Sequence, residues 1–348
     1  MRNFAKTAIL AALAWCATLG VGHTQTEDKS PLVLLSTGGP TDTITRDAIA
    51  NAFTKETGIE VVIRPQSDAM ISTVLAQKDN PQYDLILTGF DSYTYLQQNG
   101  ALDKVDYGQI PNTANLYPLA RSSHGIGTSF TGVTLVYNTD KIRTPPTSWA
   151  DMWNPAYKGH VIIPVVPITY GLDFLVMAAR TFGGDEHNID VGFQKLKELA
   201  PNVSGIYETS SNAAQMFQLG GAWIAPWFAG RVPPTRAAGV PVAAAKLKEG
   251  QVVYITMLAP LKGKFSKKVA RFMDMYLTKE AQVAFAKGIG QGPARTDVEL
   301  PPELAATVPY GADQVKALIQ PDWNVIVSKR NEWAERFQRE IVPLVGKK

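Results

Sequence analysis

The sequence predicts an α/β protein made of two α/β units joined by crossing segments. Three observations carry this. Short apolar runs alternate with helix-period segments from residue 31 to about residue 100, the order that builds a parallel sheet from βαβ units. A second alternation of the same kind runs from residue 161 to about residue 250. Between them, residues 125–132 (GIGTSFTG) are rich in glycine and hydroxyls and lead into an apolar run at 133–138, which marks a passage from one unit to the other.

At the N-terminus, Arg2 and Lys6 precede an apolar run at 7–22, and polar residues follow at 23–30. This is the layout of a secretory signal peptide, taken here as residues 1–25 with cleavage between Gly20 and Gln25. The run falls short of the roughly 18 residues of a spanning helix. Bulky Trp15 before Cys16 argues against a lipidation site. The chain has one cysteine, so its removal with the signal excludes disulfides, a thiolate nucleophile and cysteine metal ligands. With 348 residues, 45% of them hydrophobic, the chain can bury two cores. A net charge of +3, with lysines and arginines dispersed, gives no basis for a nucleic-acid partner.

The mature part opens with a strand at 31–36 and a turn at 37–40 that contains Gly38 and Gly39. Ile44, Ala48, Ile49, Ala52 and Phe53 then repeat at helical spacing up to Gly58, a C-terminal cap. A second strand follows at 59–63, a helix face at Met70, Ile71, Val74 and Leu75, and a third strand at 83–87. The loop 88–93 carries Phe90 and Asp91. In an open α/β sheet, ligands lie outside the carboxyl ends of the strands, so the loops 37–40 and 88–93 are the ones expected to line a site. The second unit has a strand at 161–163, helices at 172–182, 191–200 and 212–219, and a strand at 222–226. A strand at 252–258 crosses back, and the helix at 266–277 carries Val269, Phe272, Met273 and Tyr276 on one face. Trp333, Phe337 and Ile341 mark a final helix whose apolar face is read as packing.

Catalytic motifs are absent from the sequence: it contains no G-x-S-x-G elbow, H-E-x-x-H, P-loop or S-x-x-K. Gly288, Gly290 and Gly292 follow a helix instead of a strand, against a dinucleotide site. His124, His160 and His187 are scattered, against a metal centre. No cofactor is expected.

Several phrases resemble the extracellular solute-binding proteins of ABC transporters, and within them the spermidine/putrescine-binding group. Residues 149–159 (WADMWNPAYKG) are similar to a signature of that family, and 83–87, 100–103, Tyr170-Gly171, Trp227, Glu249-Gly250 and 277–282 fit it too. The resemblance implies a type II periplasmic binding protein fold, with two α/β lobes, a hinge and a ligand cleft. The first lobe is expected at 31–128 plus 253–300 and the second at 129–252 plus 301–348. It further implies a monomer that delivers a small molecule to permease subunits in the inner membrane.

The same resemblance frames the ligand. Binders of this group clamp amines with carboxylates and stack their methylene chains on aromatic rings. Asp173 resembles one of those carboxylates, while Tyr170 and Thr256 stand where others are expected. Asp91 restores one charge, Trp227 and Tyr254 match aromatic walls, and Phe90 offers a third. The lower acid count suits a monoamine, a quaternary ammonium or a zwitterion better than a long polyamine. Each residue has a structural alternative. Asp173 lies in a first helical turn, where an acid favours the dipole. Asp91, Gly38 and Gly39 are also ordinary turn residues. Arg231 is read either as solvated or as a bidentate partner for a carboxylate or phosphonate. A secreted hydrolase using Asp91 and Asp173 as a carboxylate pair is the alternative of a different class. A ferric site is disfavoured by Pro226-Trp227-Phe228, where iron-binding relatives place a tyrosine pair.

Overall fold

The computed structural model describes residues 28–65 and 70–347, so the signal segment lies outside the described residues. Eleven strands occur among them: β1 Leu32–Ser36, β2 Val61–Pro65, β3 Leu85–Gly89, β4 Arg121–Ser122, β5 Gly125–Asn138, β6 Val161–Pro164, β7 Val203–Tyr207, β8 Ile224–Phe228, β9 Val242–Ala244, β10 Val252–Pro260 and β11 Gly292–Pro293. The order across the main sheet is β2-β1-β3-β10-β5-β8-β6-β7. β1 pairs parallel with β2 and β3, and β6 pairs parallel with β7 and β8, as βαβ connections require.

Two antiparallel strands, β5 and β10, tie the halves together. β5 is 14 residues long and buried throughout. Its first part lies beside the half of β10 that pairs with β3, and its last part, 133–137, pairs with β8. The β5–β10 ladder is irregular between Thr256 and Met257. The glycine- and hydroxyl-rich segment is therefore the crossing that the sequence predicts. Small side chains let two backbones and the elements on both sides converge there.

Each half has its own core. One cluster contains Leu34, Phe53, Leu87, Phe272 and Tyr276, and the other contains Val136, Trp149, Phe174, Phe193 and Trp333. The first helical stretch spans Pro40–Thr45, a π-type turn Arg46–Ala50 and Asn51–Thr57, and ends on Gly58 at φ 71°. Ile49 and Phe53 are fully buried on its inner face. The C-terminal passage comes later than residue 301. Val298, Leu300 and Val308 pack with Ala286, and Val315 belongs to the first core, whereas Trp323, Ile326 and Trp333 belong to the second.

Residues 149–159 lock the start of β10 to the second lobe. Trp149 is buried and its Nε1 donates to the Gly250 carbonyl at 3.1 Å. Ser148 and the Trp149 amide both donate to the Glu249 carboxylate. Ser148 and Asp151 close a capping box on the same turn. Two of the segments that carry the family resemblance, 149–159 and Glu249-Gly250, thus bond to each other in a structural role.

Candidate functional site

The loop after β1 meets the end of β8 and the crossing strands around a cavity of about 170 Å³, while the expected loop 88–93 contributes no lining residue to it. Its walls include Gly38 and Thr37 from the first loop, Tyr254 and Thr256 from β10, Thr131 from β5, and Arg231 just after β8. Gly38 and Gly39 have φ of 82° and 60°, a conformation that favours glycine, and so turn the chain from β1 into the first helix. Gly38 reaches the cavity wall, and its amide donates to Asp42 Oδ1 at 3.1 Å. Gly39 serves as the helix N-cap residue and is not among the lining residues.

Three aromatic rings stand side by side here: Phe228 and Tyr254 line the cavity, and Tyr170 packs against Phe228. Phe228 lies 5.0 Å from Tyr254 and 5.1 Å from Tyr170, in edge-to-face arrangements that suit aromatic quadrupoles. Tyr170 also stacks on Tyr207 at 5.6 Å, and its hydroxyl donates to the Glu208 carbonyl at 3.3 Å. Burial raises the Tyr170 phenol to about 12, moderated by Arg231. Burial also raises Tyr254, with the charges of Asp91 and Asp173 adding to the effect.

The two expected acids do not line this cavity, although both act on Tyr254, which does. Asp91 lies in the first turn of helix Phe90–Gln98 and is 4% exposed. A Cβ on Gly89 would lie 2.6 Å from Asp91 Oδ1 and 2.8 Å from the Tyr254 hydroxyl, so Gly89 leaves room for both groups. Asp173 is the fifth residue of helix Thr169–Thr181, beyond the first turn where the sequence placed it, is fully buried, and has no hydrogen-bond partner for either carboxylate oxygen. Burial raises its pKa well above the ordinary value, and the Asp91 charge raises it further. A buried carboxylate without a donor is costly.

Two expected contacts, Trp227 and Phe90, do not line this cavity but line others. Trp227 is 1% exposed, stacks on Phe217 at 5.9 Å, and donates from Nε1 to Ser210 at 2.7 Å inside the second core. The strand expected to stop at residue 226 runs on to Phe228, with Trp227 opposite Thr134 in the ladder. Strand alternation then turns Trp227 into the core and leaves Phe228 to face the cleft. Phe90 packs on Tyr93 at 5.6 Å and lines a different cavity with Val253, Ile255 and Trp323. Val253 and Ile255 occupy the face of β10 opposite Tyr254 and Thr256, so Phe90 sits behind the crossing strands.

Residues that sequence reasoning missed are Phe228, Thr131 and Gln291. Gln291 accepts hydrogen bonds at Oε1 from the hydroxyls of Ser129 and Thr256, the latter at 3.2 Å. Ser129 and Thr256 face each other across β5 and β10. The rim of the cavity is a contact between lobes: a Cβ on Gly230 would meet the Gly290 carbonyl at 2.2 Å, and one on Gly290 would meet the Gly230 carbonyl at 2.5 Å.

Two α/β lobes, two crossing strands and a polar cavity between the lobes define a binding protein of the two-lobed periplasmic type. The chain belongs to the bacterial extracellular solute-binding protein family, which matches residues 48–311. It is 26% identical over 254 residues to the spermidine/putrescine-binding periplasmic protein of Escherichia coli (strain K12), covering 68% of this chain and 71% of that one. It is 23% identical over 328 residues to a gamma-aminobutyric acid-binding protein of Pseudomonas aeruginosa, covering 88% and 91%. In fold it is similar to the crystal structure of an ABC transporter protein from Clostridium perfringens ATCC 13124, with a TM-score of 0.77, 24% identity, and coverage of 89% of this chain and 99% of that one.

Proposed function

We propose that this protein is the periplasmic solute-binding component of an ABC importer, and that it captures a small organic amine, either a cation or a zwitterion, by closing its lobes. The observation that carries the reading is Asp173, buried with neither oxygen bonded, beside Asp91 and the ring of Tyr254. An ammonium supplies the missing donors and positive charge, and the aromatic rings of Tyr170, Phe228 and Tyr254 supply a wall for its methylenes. The relatives named for spermidine, putrescine and gamma-aminobutyric acid bind ligands of this chemistry. The protein acts by binding, without turnover, as a monomer with permease subunits as its partners and with no part for nucleic acid. It reaches the periplasm through its signal segment. The hinge lies where β5 and β10 cross, at residues 128–131 and 253–257.

A thermal-shift screen against putrescine, spermidine, gamma-aminobutyrate and matched carboxylates tests the reading. Ligand at one hundred times its Kd stabilises the protein by about 2.7 kcal/mol. A shift with amines and none with simple carboxylates is expected. Stabilisation by carboxylates alone would remove the amine reading.

A further inference from the structure

We propose that the cleft is bipolar: Gln291, Thr131 and Arg231 form a donor subsite for the acceptor end of the ligand, so the preferred ligand is an amino acid with separated charges and not a diamine. This rests on the amine reading above and adds the identity of the other end.

Three groups line one cavity and all present donors. Gln291 lines the cavity and its carboxamide oxygen accepts from Ser129 and Thr256, which leaves its Nε2 donors for another acceptor. Thr131 is 3% exposed, lines the same cavity, and its hydroxyl has no hydrogen-bond partner. Arg231 borders the cavity from the second lobe, exposed, with no acidic side chain in salt-bridge contact among the described residues. A guanidinium, a carboxamide N–H pair and a hydroxyl complement a carboxylate, whereas an ammonium there would meet a like charge and find the carboxamide oxygen already engaged. The acids are set back from this cavity: Asp91 and Asp173 do not line it, although both act on Tyr254, which does. Tyr254 therefore stands between the acceptor end and the donor end. The glycine-rich segment 288–292 gains a role here, because Gly290 lets the lobes touch at Gly230 while the next residue, Gln291, enters the cleft.

The test compares putrescine, gamma-aminobutyrate and n-butylamine by calorimetry, which keep one ammonium and change only the far end from ammonium to carboxylate to methyl, with 5-aminovalerate and 6-aminohexanoate covering chain length. The wild type should bind its best amino acid at least tenfold more tightly than putrescine. Thr131→Val should weaken the amino acid at least fivefold and leave butylamine unchanged. Gln291→Glu, which exchanges donors for a carboxylate, should move the preference toward putrescine. Putrescine binding as tightly as every amino acid, or variants that weaken all probes alike while the unliganded melting temperature is unchanged, would overturn the donor subsite and leave the amine reading intact. Failure of every amine to bind, or amine binding untouched by Asp173→Asn, would remove the amine reading and this inference with it.

Discussion

Replacing Asp173 with Asn should make the unliganded protein more stable at neutral pH and make the liganded complex weaker. The side chain is fully buried with both oxygens unbonded, and burial followed by the Asp91 charge raises its pKa well above the ordinary value. The native chain thus retains a proton that the unfolded chain has released from about pH 4 upward. Between that point and the raised value the native state binds more protons than the unfolded state, so stability falls as pH rises. Below pH 4 both states are protonated and the penalty vanishes. Each pH unit above the unfolded value over which the native chain keeps its proton costs about 1.4 kcal/mol, which for a chain of this size moves the melting temperature by about 2 °C. Melting curves from pH 4 to pH 8 without ligand should therefore show Asp173→Asn level with wild type at the acid end and higher at pH 7.5. With an amine ligand the variant loses a charged hydrogen bond worth about 1.5 to 3 kcal/mol, or roughly 10- to 150-fold in Kd. A variant less stable than wild type at pH 7.5, or one with the same slope against pH, would show that Asp173 is satisfied in the unliganded protein and would refute the argument.

Trp227→Ala removes a side chain stacked on Phe217 and bonded to Ser210, and should cost about 3 to 5 kcal/mol of unliganded stability; a melting temperature within a degree of wild type would return Trp227 to the cleft wall. Phe228→Ala should do the reverse, weakening amine binding through the loss of a face beside Tyr170 and Tyr254, and calorimetry showing unchanged affinity would exclude it from the site. Gly230→Ala places a Cβ against the Gly290 carbonyl at 2.2 Å and should raise the ligand dissociation rate by keeping the lobes from full contact; stopped-flow traces identical to wild type would count against that rim contact in the liganded state. Small-angle scattering should record a smaller radius on saturation with ligand, because a ligand held by both lobes favours the closed state, and an unchanged radius would argue against a hinge at the crossing strands.

Local sequence chemistry determined much of this protein. The end of the first helix at Gly58, the buried face of Ile49 and Phe53, and the two parallel βαβ halves were all legible, because spacing and caps act within a few residues. The crossing was legible too, since small and hydroxyl side chains in an apolar context leave room for two strands shared between cores. Of the candidates the sequence offered, most of them through the family resemblance, Tyr254 and Thr256 line the cavity, whereas Asp91, Asp173 and Tyr170 do not. Their environment was not legible, because burial of Asp173 without a partner depends on what the rest of the chain places around it.

Only the tertiary structure decided which side of each strand meets the cleft. A strand has a side-chain period of two, so an end placed two residues early exchanged Phe228 for Trp227, and the face of β10 that Phe90 meets put it behind the hinge. Gln291 carries no sequence signal, since it gains meaning from hydroxyls of Ser129 and Thr256, which lie 162 and 35 residues away in the chain. Contacts of that separation are formed by the packing of two lobes, and no local periodicity records them.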